Sequence, residues 1–152
     1  MNEQMEDIGP GEGIRLAGVA DAEVMARLFV QLGYGDEPGR LVADLLAMEP
    51  GRQVLVSENL HGVTGGLVLH LLRPLHLAPG WALISALVVD EEARGQGWGA
   101  ALLAAAEQVA REAGCGQIEL SSSPHRERAH HFYQQQGYRE KPTRFVKSLL
   151  SQ

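Results

Sequence analysis

The sequence predicts an α/β fold, a mixed sheet flanked by helices and built as a single domain. Three observations predict it. Strand-like and helix-like periodicities alternate along the chain. Residues 81–89 form a nearly continuous apolar run, as expected for a strand buried on both faces. The segment Arg94-Gly95-Gln96-Gly97-Trp98-Gly99 separates that run from a helical run at 100–113. With 152 residues, 45% apolar and 21% charged, the chain suits one core of ordinary size.

The elements follow in order. Residues 1–13 are rich in glycine and acids and read as a flexible N-terminal arm, leaving 14–152 as the folded domain. Residues 14–18 alternate like a short strand. Asp21 is placed to cap a helix that carries Val24, Met25, Leu28, Phe29 and Leu32 on one face and ends at Gly33 and Gly35. A second helix is expected over 39–48, closed by Pro50-Gly51. Residues 53–57 and 63–71 read as a hairpin around the turn 58–62, and Pro74 and Pro79-Gly80 bound an irregular connection to the apolar strand 81–89. The helix at 100–113 sets Leu102, Leu103, Ala106, Val109, Ala110 and Ala113 on one side, with Gly114 as the residue past its end. A strand at 117–121, a helix at 126–136 stopped by Gly137 and a last strand at 143–149 complete the order.

Composition excludes several classes. No apolar run approaches the roughly 20 residues of a membrane-spanning helix, and the acidic start lacks the basic and apolar regions of a secretion signal. A cytoplasmic location is expected, with no membrane partner. A net charge of −6 argues against nucleic acid, whose phosphates demand a basic surface. Cys115 is the single cysteine and reads as a structural thiol. His130 and His131 project about 100° apart on a helix, so no metal site is expected there.

Three glycines between a strand and a helix leave backbone N–H groups uncovered at a helix start, where unpaired donors and the helix dipole favour a pyrophosphate. A phosphorylated cofactor is therefore expected. No lysine follows the last glycine, which removes the nucleotide-triphosphate loop. Gly95, Gly97 and Ala100, with Glu119 downstream, meet a lax dinucleotide fingerprint, but repeated βα units around the turn are missing.

Arg94, Gly97 and Gly99 form RxxGxG, and a second block follows at Ala129-His130-His131-Phe132-Tyr133-Gln134-Gln135-Gln136-Gly137-Tyr138. Together these resemble the GCN5-related N-acetyltransferase (GNAT) superfamily, most closely its small-amine members, aminoalkylphosphonate N-acetyltransferases among them. The resemblance runs from about residue 14 to 149. It implies a mostly antiparallel central sheet and acetyl-CoA as cosubstrate. It further implies direct acetyl transfer to a small primary amine. The backbone of Leu87, Val88 and Val89 would take the pantetheine arm, with the thioester carbonyl polarised near Val88. Arg94, Gly95, Gln96, Gly97, Trp98, Gly99 and Ala100 would take the pyrophosphate. Arg126 and Phe132 would add cofactor contacts.

Helical spacing puts Tyr133 on a face with Ala129, Phe132 and Gln136, which suits a core tyrosine. The resemblance instead makes it the general acid; a phenol with a reference pKa of about 10 can protonate a thiolate whose acid lies near about 8.5. The base is open. Ser85 and Ala86 stand where many relatives carry glutamate, leaving ordered water, Ser85, His70, His76 or His131. The acceptor is expected between the loop 33–39, with its acids Asp36 and Glu37, and the connection 73–80. Rival readings are acetylation of a protein N-terminus or lysine, a silent acyl-CoA sensor, and a dinucleotide-binding protein. Self-association into a homodimer is left open.

Overall fold

A computed structural model describes residues 13–34, 38–47, 49–121, 127–141 and 144–150. The chain falls into two compact units, residues 1–121 and 122–152. The first holds a five-stranded sheet in the order β1-β2-β3-β4-β5. Its strands are β1 (Gly13–Leu16), β2 (Arg52–Asn59), β3 (Gly62–Leu72), β4 (Trp81–Val89) and β5 (Gln117–Leu120). The first four run antiparallel to their neighbours, and β5 lies parallel to β4. Only this last pair needs a crossover, and the helix α3 (Trp98–Glu112) supplies it. The mixed, mostly antiparallel sheet is the predicted one.

Two helices cover opposite faces of the sheet. A side chain grown on Gly65 would meet Leu102 of α3, whereas one on its neighbour Gly66 would meet Met25 and Leu28 of α1 (Ala22–Gln31). Because neighbouring strand residues point to opposite faces, α3 and α1 sandwich β3. Both helices present the apolar stripes read from the sequence: Met25 and Leu28 on α1, and Leu102, Leu103, Ala106 and Ala110 on α3, are buried. On α2 (Pro38–Ala47), Leu41 and Leu45 are half-buried; Gly35 and Met48 lie outside the described residues.

Asp21 sits at the start of α1, yet its carboxylate does not cap that helix. It turns back to accept from the Gly18 N–H at 2.7 Å and from a bidentate Arg15 fork at 2.8 and 2.9 Å. Arg15 also reaches Glu58 on β2 at 2.8 Å. The Arg15 hydrogen bonds hold the Asp21 carboxyl below the ordinary carboxylate range, against the opposing effect of its burial. A capping signal in the sequence has been put to use as a tie between β1, β2 and the helix entry.

Helix ends obey local rules. At Gly33, Gly114 and Gly137 the backbone turns left-handed, with φ of 98°, 81° and 92°. The N–H one residue on bonds back to the carbonyl five residues earlier: Tyr34 to Phe29, Cys115 to Ala110 and Tyr138 to Tyr133. Each is a Schellman termination, which satisfies carbonyls the helix cannot, and glycine meets the positive φ without a Cβ penalty.

Two expectations fail. The strand β4 is not buried on both faces: Ala82, Ile84 and Val88 are buried, but Ser85 is exposed and Leu83, Ala86 and Leu87 are half-buried. The expected last strand is not formed among the described residues, and Phe145, Val146 and Leu149 are exposed. The consecutive pair Phe145-Val146 breaks the alternation a half-buried strand needs, so apolar content alone misled there; Thr143 lies outside the described residues. No helix of the described residues is long and apolar enough to cross a membrane.

Candidate active site

The centre of the first unit is an irregularity in β4. Leu69 of β3 pairs with Ile84, and the next pair is Val68 with Ala86, so Ser85 is an extra residue with no opposite number. It is a β-bulge. Paired residues share a face, so Ile84 lies with Leu69 on the α3 side, while Val88 lies with Gly66 on the α1 side. A single added residue has reversed the parity of the strand. On the other edge, β5 follows β4 only from Trp81 to Ile84. From Ser85 to Val89 that edge of β4 has no strand partner among the described residues.

The open edge leads directly into the glycine loop. Asp90 accepts from the Glu92 N–H at 3.4 Å and starts a single 3₁₀ turn over Glu91–Ala93. Arg94 then folds back, donating from Nε to the Val89 carbonyl at 3.2 Å, which leaves the outer guanidinium nitrogens at an exposed position. Gly95 and Gly97 have φ of 81° and 90°, and α3 begins at Trp98, two residues earlier than read from the sequence. The demand for positive φ therefore falls on Gly95 and Gly97, while Gly99 lies in the first helical turn. No side chain caps this start. The first intrahelical bond runs from Ala101 N to Gly97 O, so Trp98, Gly99 and Ala100 have no carbonyl four residues back to bond. The Trp98 indole donates to Gln96 Oε1 at 3.3 Å, holding its ring to the loop.

Of the candidate bases, two meet. His70 on β3 lies 2.8 Å from Ser85 Oγ, through Nε2. His76 is exposed in the 73–80 connection, and His131 belongs to the second unit. That connection borders a cleft of about 470 Å³ lined by Leu77, Pro79, Trp81, Gly116, Gln117 and Glu119. The cleft lies at the Trp81 end of β4, opposite to the glycine loop. Asp36 and Glu37 lie outside the described residues.

In the second unit, α4 (Glu127–Gln135) carries Tyr133 half-buried between two aromatic neighbours. Its ring centroid is 5.5 Å from Phe132 and 6.3 Å from Tyr138, the latter edge-on. The Schellman turn at Gly137 sets this second contact, since Tyr138 is the residue whose N–H returns to Tyr133 O. The helix end thus fixes the phenol-bearing ring. His130 lies 3.7 Å from Glu140. Arg126 lies outside the described residues.

The acetyltransferase (GNAT) family matches residues 20–138. The chain belongs to this family. It is an acyltransferase, and its relatives agree. It is 33% identical over 147 residues to an aminoalkylphosphonate N-acetyltransferase of Salmonella typhimurium, covering 95% of this chain and 96% of that one. An acetyltransferase of Agrobacterium fabrum is 42% identical over 62 residues, 41% of each chain. A Bacillus halodurans structure called a transcriptional regulator superposes with a TM-score of 0.80 at 24% identity, over 92% of this chain and 99% of that one. That last likeness bears on the fold alone.

Within this acetyltransferase Leu87, Val88 and Val89 end β4 and lead through the 3₁₀ turn into the loop 94–97 and the start of α3. The sequence reading missed the pairing of His70 with Ser85. It named both residues but had no reason to join them, because a lone serine in an otherwise apolar run does not by itself mark a bulge.

Proposed function

We propose that the chain is an acetyl-CoA-dependent N-acetyltransferase that transfers acetyl to a small primary amine by direct attack. The observation that carries this is the edge of β4 from Ser85 to Val89, which among the described residues has no strand partner and runs into a helix start that no side chain caps. An extended pantetheine arm suits the first, as an added strand, and a pyrophosphate suits the second. Leu87, Val88 and Val89 would hold the arm, and the N–H groups from Gln96 to Ala100 would hold the pyrophosphate. Gly95 and Gly97 would shape the loop, and Arg94 and Arg126 would offset phosphate charge. Trp98 would cover the loop, and Phe132 would flank the acid.

Acetyl-CoA supplies an acyl group already activated as a thioester. The chain needs only to position, polarise and move protons. A backbone N–H near Val88 would stabilise the carbonyl oxygen as charge develops. Tyr133 would protonate the departing thiolate. The Salmonella relative's name makes an aminoalkylphosphonate the first acceptor to test, with other small primary amines beside it. The absence of glutamate at Ser85 and Ala86 favours a second reading, a silent acyl-CoA sensor.

One assay separates the two: thiol release from acetyl-CoA across a panel of amines and peptides. Release with a small amine supports the enzyme, release only with a peptide supports protein acetylation, and cofactor binding without release supports the sensor. In an active enzyme, Tyr133→Phe is expected to lower kcat by about 10²-fold with acetyl-CoA affinity unchanged. Unchanged turnover would reduce Tyr133 to a packing residue.

A further inference from the structure

We infer that Ser85 and His70 form a proton relay that takes the proton from the acceptor ammonium. The inference rests on the function proposed above. Its geometry is independent of that reading: Ser85 is the extra residue of the bulge, its side chain is exposed, and its Oγ lies 2.8 Å from His70 Nε2 on the neighbouring strand.

Position gives the pair its role. A pyrophosphate at the start of α3 lies beyond Val89, so a pantetheine arm on the open edge runs from Val89 back towards Ser85. That edge spans four strand steps, roughly 13 Å. The thioester end of the arm, with its carbonyl near Val88, is therefore aimed at the bulge, and bulges re-aim side chains in this way beside active sites. Ser85 begins the open edge and is the residue an incoming amine meets there.

His70 completes the relay because a serine hydroxyl alone is a poor proton sink near neutral pH. Opposite His70 on β2 stands Arg52, whose guanidinium is turned to the Asp44 carbonyl and lies 3.6 Å from Glu49. Among the described residues the imidazole meets Ser85. With the ring proton on Nδ1, Nε2 accepts from the hydroxyl.

The ammonium gives a proton to Ser85 Oγ while Ser85 passes its own proton to His70 Nε2. The neutral amine then forms a C–N bond to the thioester carbon, and the C–S bond breaks with its electron pair on sulfur. Sulfur takes its proton from Tyr133. The remaining excess proton on nitrogen restores the tyrosine, and the His70 imidazolium releases its proton to water. Ser85 is the catalytic residue of the pair, and His70 acts through it.

The test uses the full-length protein and an amine on which the wild type releases CoA. Ser85→Ala and His70→Ala are each expected to lower kcat by about 10²-fold, with KM for acetyl-CoA unchanged. The double variant should fall no further than either single one, since the two groups act as a unit. Imidazole in the buffer should restore His70→Ala but not Ser85→Ala. With an amine already neutral at the assay pH, the losses should vanish. Equal losses for basic and weakly basic amines, or wild-type turnover in either variant, overturn the relay while the function stands. His70→Gln, which retains a polar side chain, serves if the alanine variant unfolds, and the same loss is expected of it. A wild type that binds acetyl-CoA yet releases CoA with no amine or peptide overturns the function, and the relay with it.

Discussion

The two halves of β4 have similar sequences and different surroundings. Trp81–Ile84 is paired on both edges, to β3 and to β5, and holds the buried residues Ala82 and Ile84. Among the described residues Ser85–Val89 is paired to β3 alone; it begins with an exposed serine and runs into the glycine loop. One half is core and the other is the docking edge of the function proposed above. The bulge between them is what permits one strand to be both, because it reverses the strand's facing at the point where β5 leaves.

The sharpest way to test this division is to damage each half and ask which property fails. Ile84 is 3% exposed, so Ile84→Ala should cost about 2–5 kcal/mol of stability with KM for acetyl-CoA unchanged, read by denaturant unfolding and steady-state kinetics. A large rise in KM instead would mean that the two halves are not separable.

The opposite damage falls at Gly97. Acetyl-CoA at about 100 times Kd should stabilise the wild type by roughly 2.7 kcal/mol, measured as a thermal shift. A side chain at the φ of 90° is strained, so Gly97→Val should lower the unliganded melting temperature modestly and remove the cofactor-induced shift. If the shift survives, the loop is only a turn. A milder change is Arg94→Ala, which removes the guanidinium proposed to offset phosphate charge and its tie to the Val89 carbonyl. It should raise KM for acetyl-CoA by about 3- to 10-fold with kcat little altered, on the scale of about 1 kcal/mol for one charged contact.

The smallest effect is a control remote from β4. Asp21 is held below the ordinary carboxylate range by the Arg15 fork, so its contribution to stability is present above the unfolded-state pKa of about 3.9. It is lost as pH falls below about 4 and through the folded-state value. The wild type should therefore lose stability more steeply in that window than Asp21→Asn, with the cofactor-induced shift at pH 7 alike in both. Parallel acid profiles would remove the role of the fork.

Much of this could be read without coordinates. The helix ends at Gly33, Gly114 and Gly137 were legible because a left-handed terminus is a local requirement that glycine meets best. The hairpin was legible for a similar reason: its alternation and its turn lie within a few residues of one another. The loop 94–99 and the block around Tyr133 were legible because backbone chemistry and family pattern are written at fixed spacing. The helix start was misjudged by two residues because Trp98 and Gly99 carry little helical signal, whereas the uncapped turn at Gly97 admits them.

Sequence by itself determined the element order as far as the helix Glu127–Gln135, the glycine-built helix termini and the family, all of which follow from interactions between residues close along the chain. Tertiary structure alone decided the facing of β4, the edge left open beyond Ile84, the use of Asp21 as a tie, and the meeting of His70 with Ser85. Those depend on strand register, and register is fixed by what lies across the sheet: one unpaired residue turns every later side chain to the other face, and a single serine in an apolar run does not say that it is unpaired.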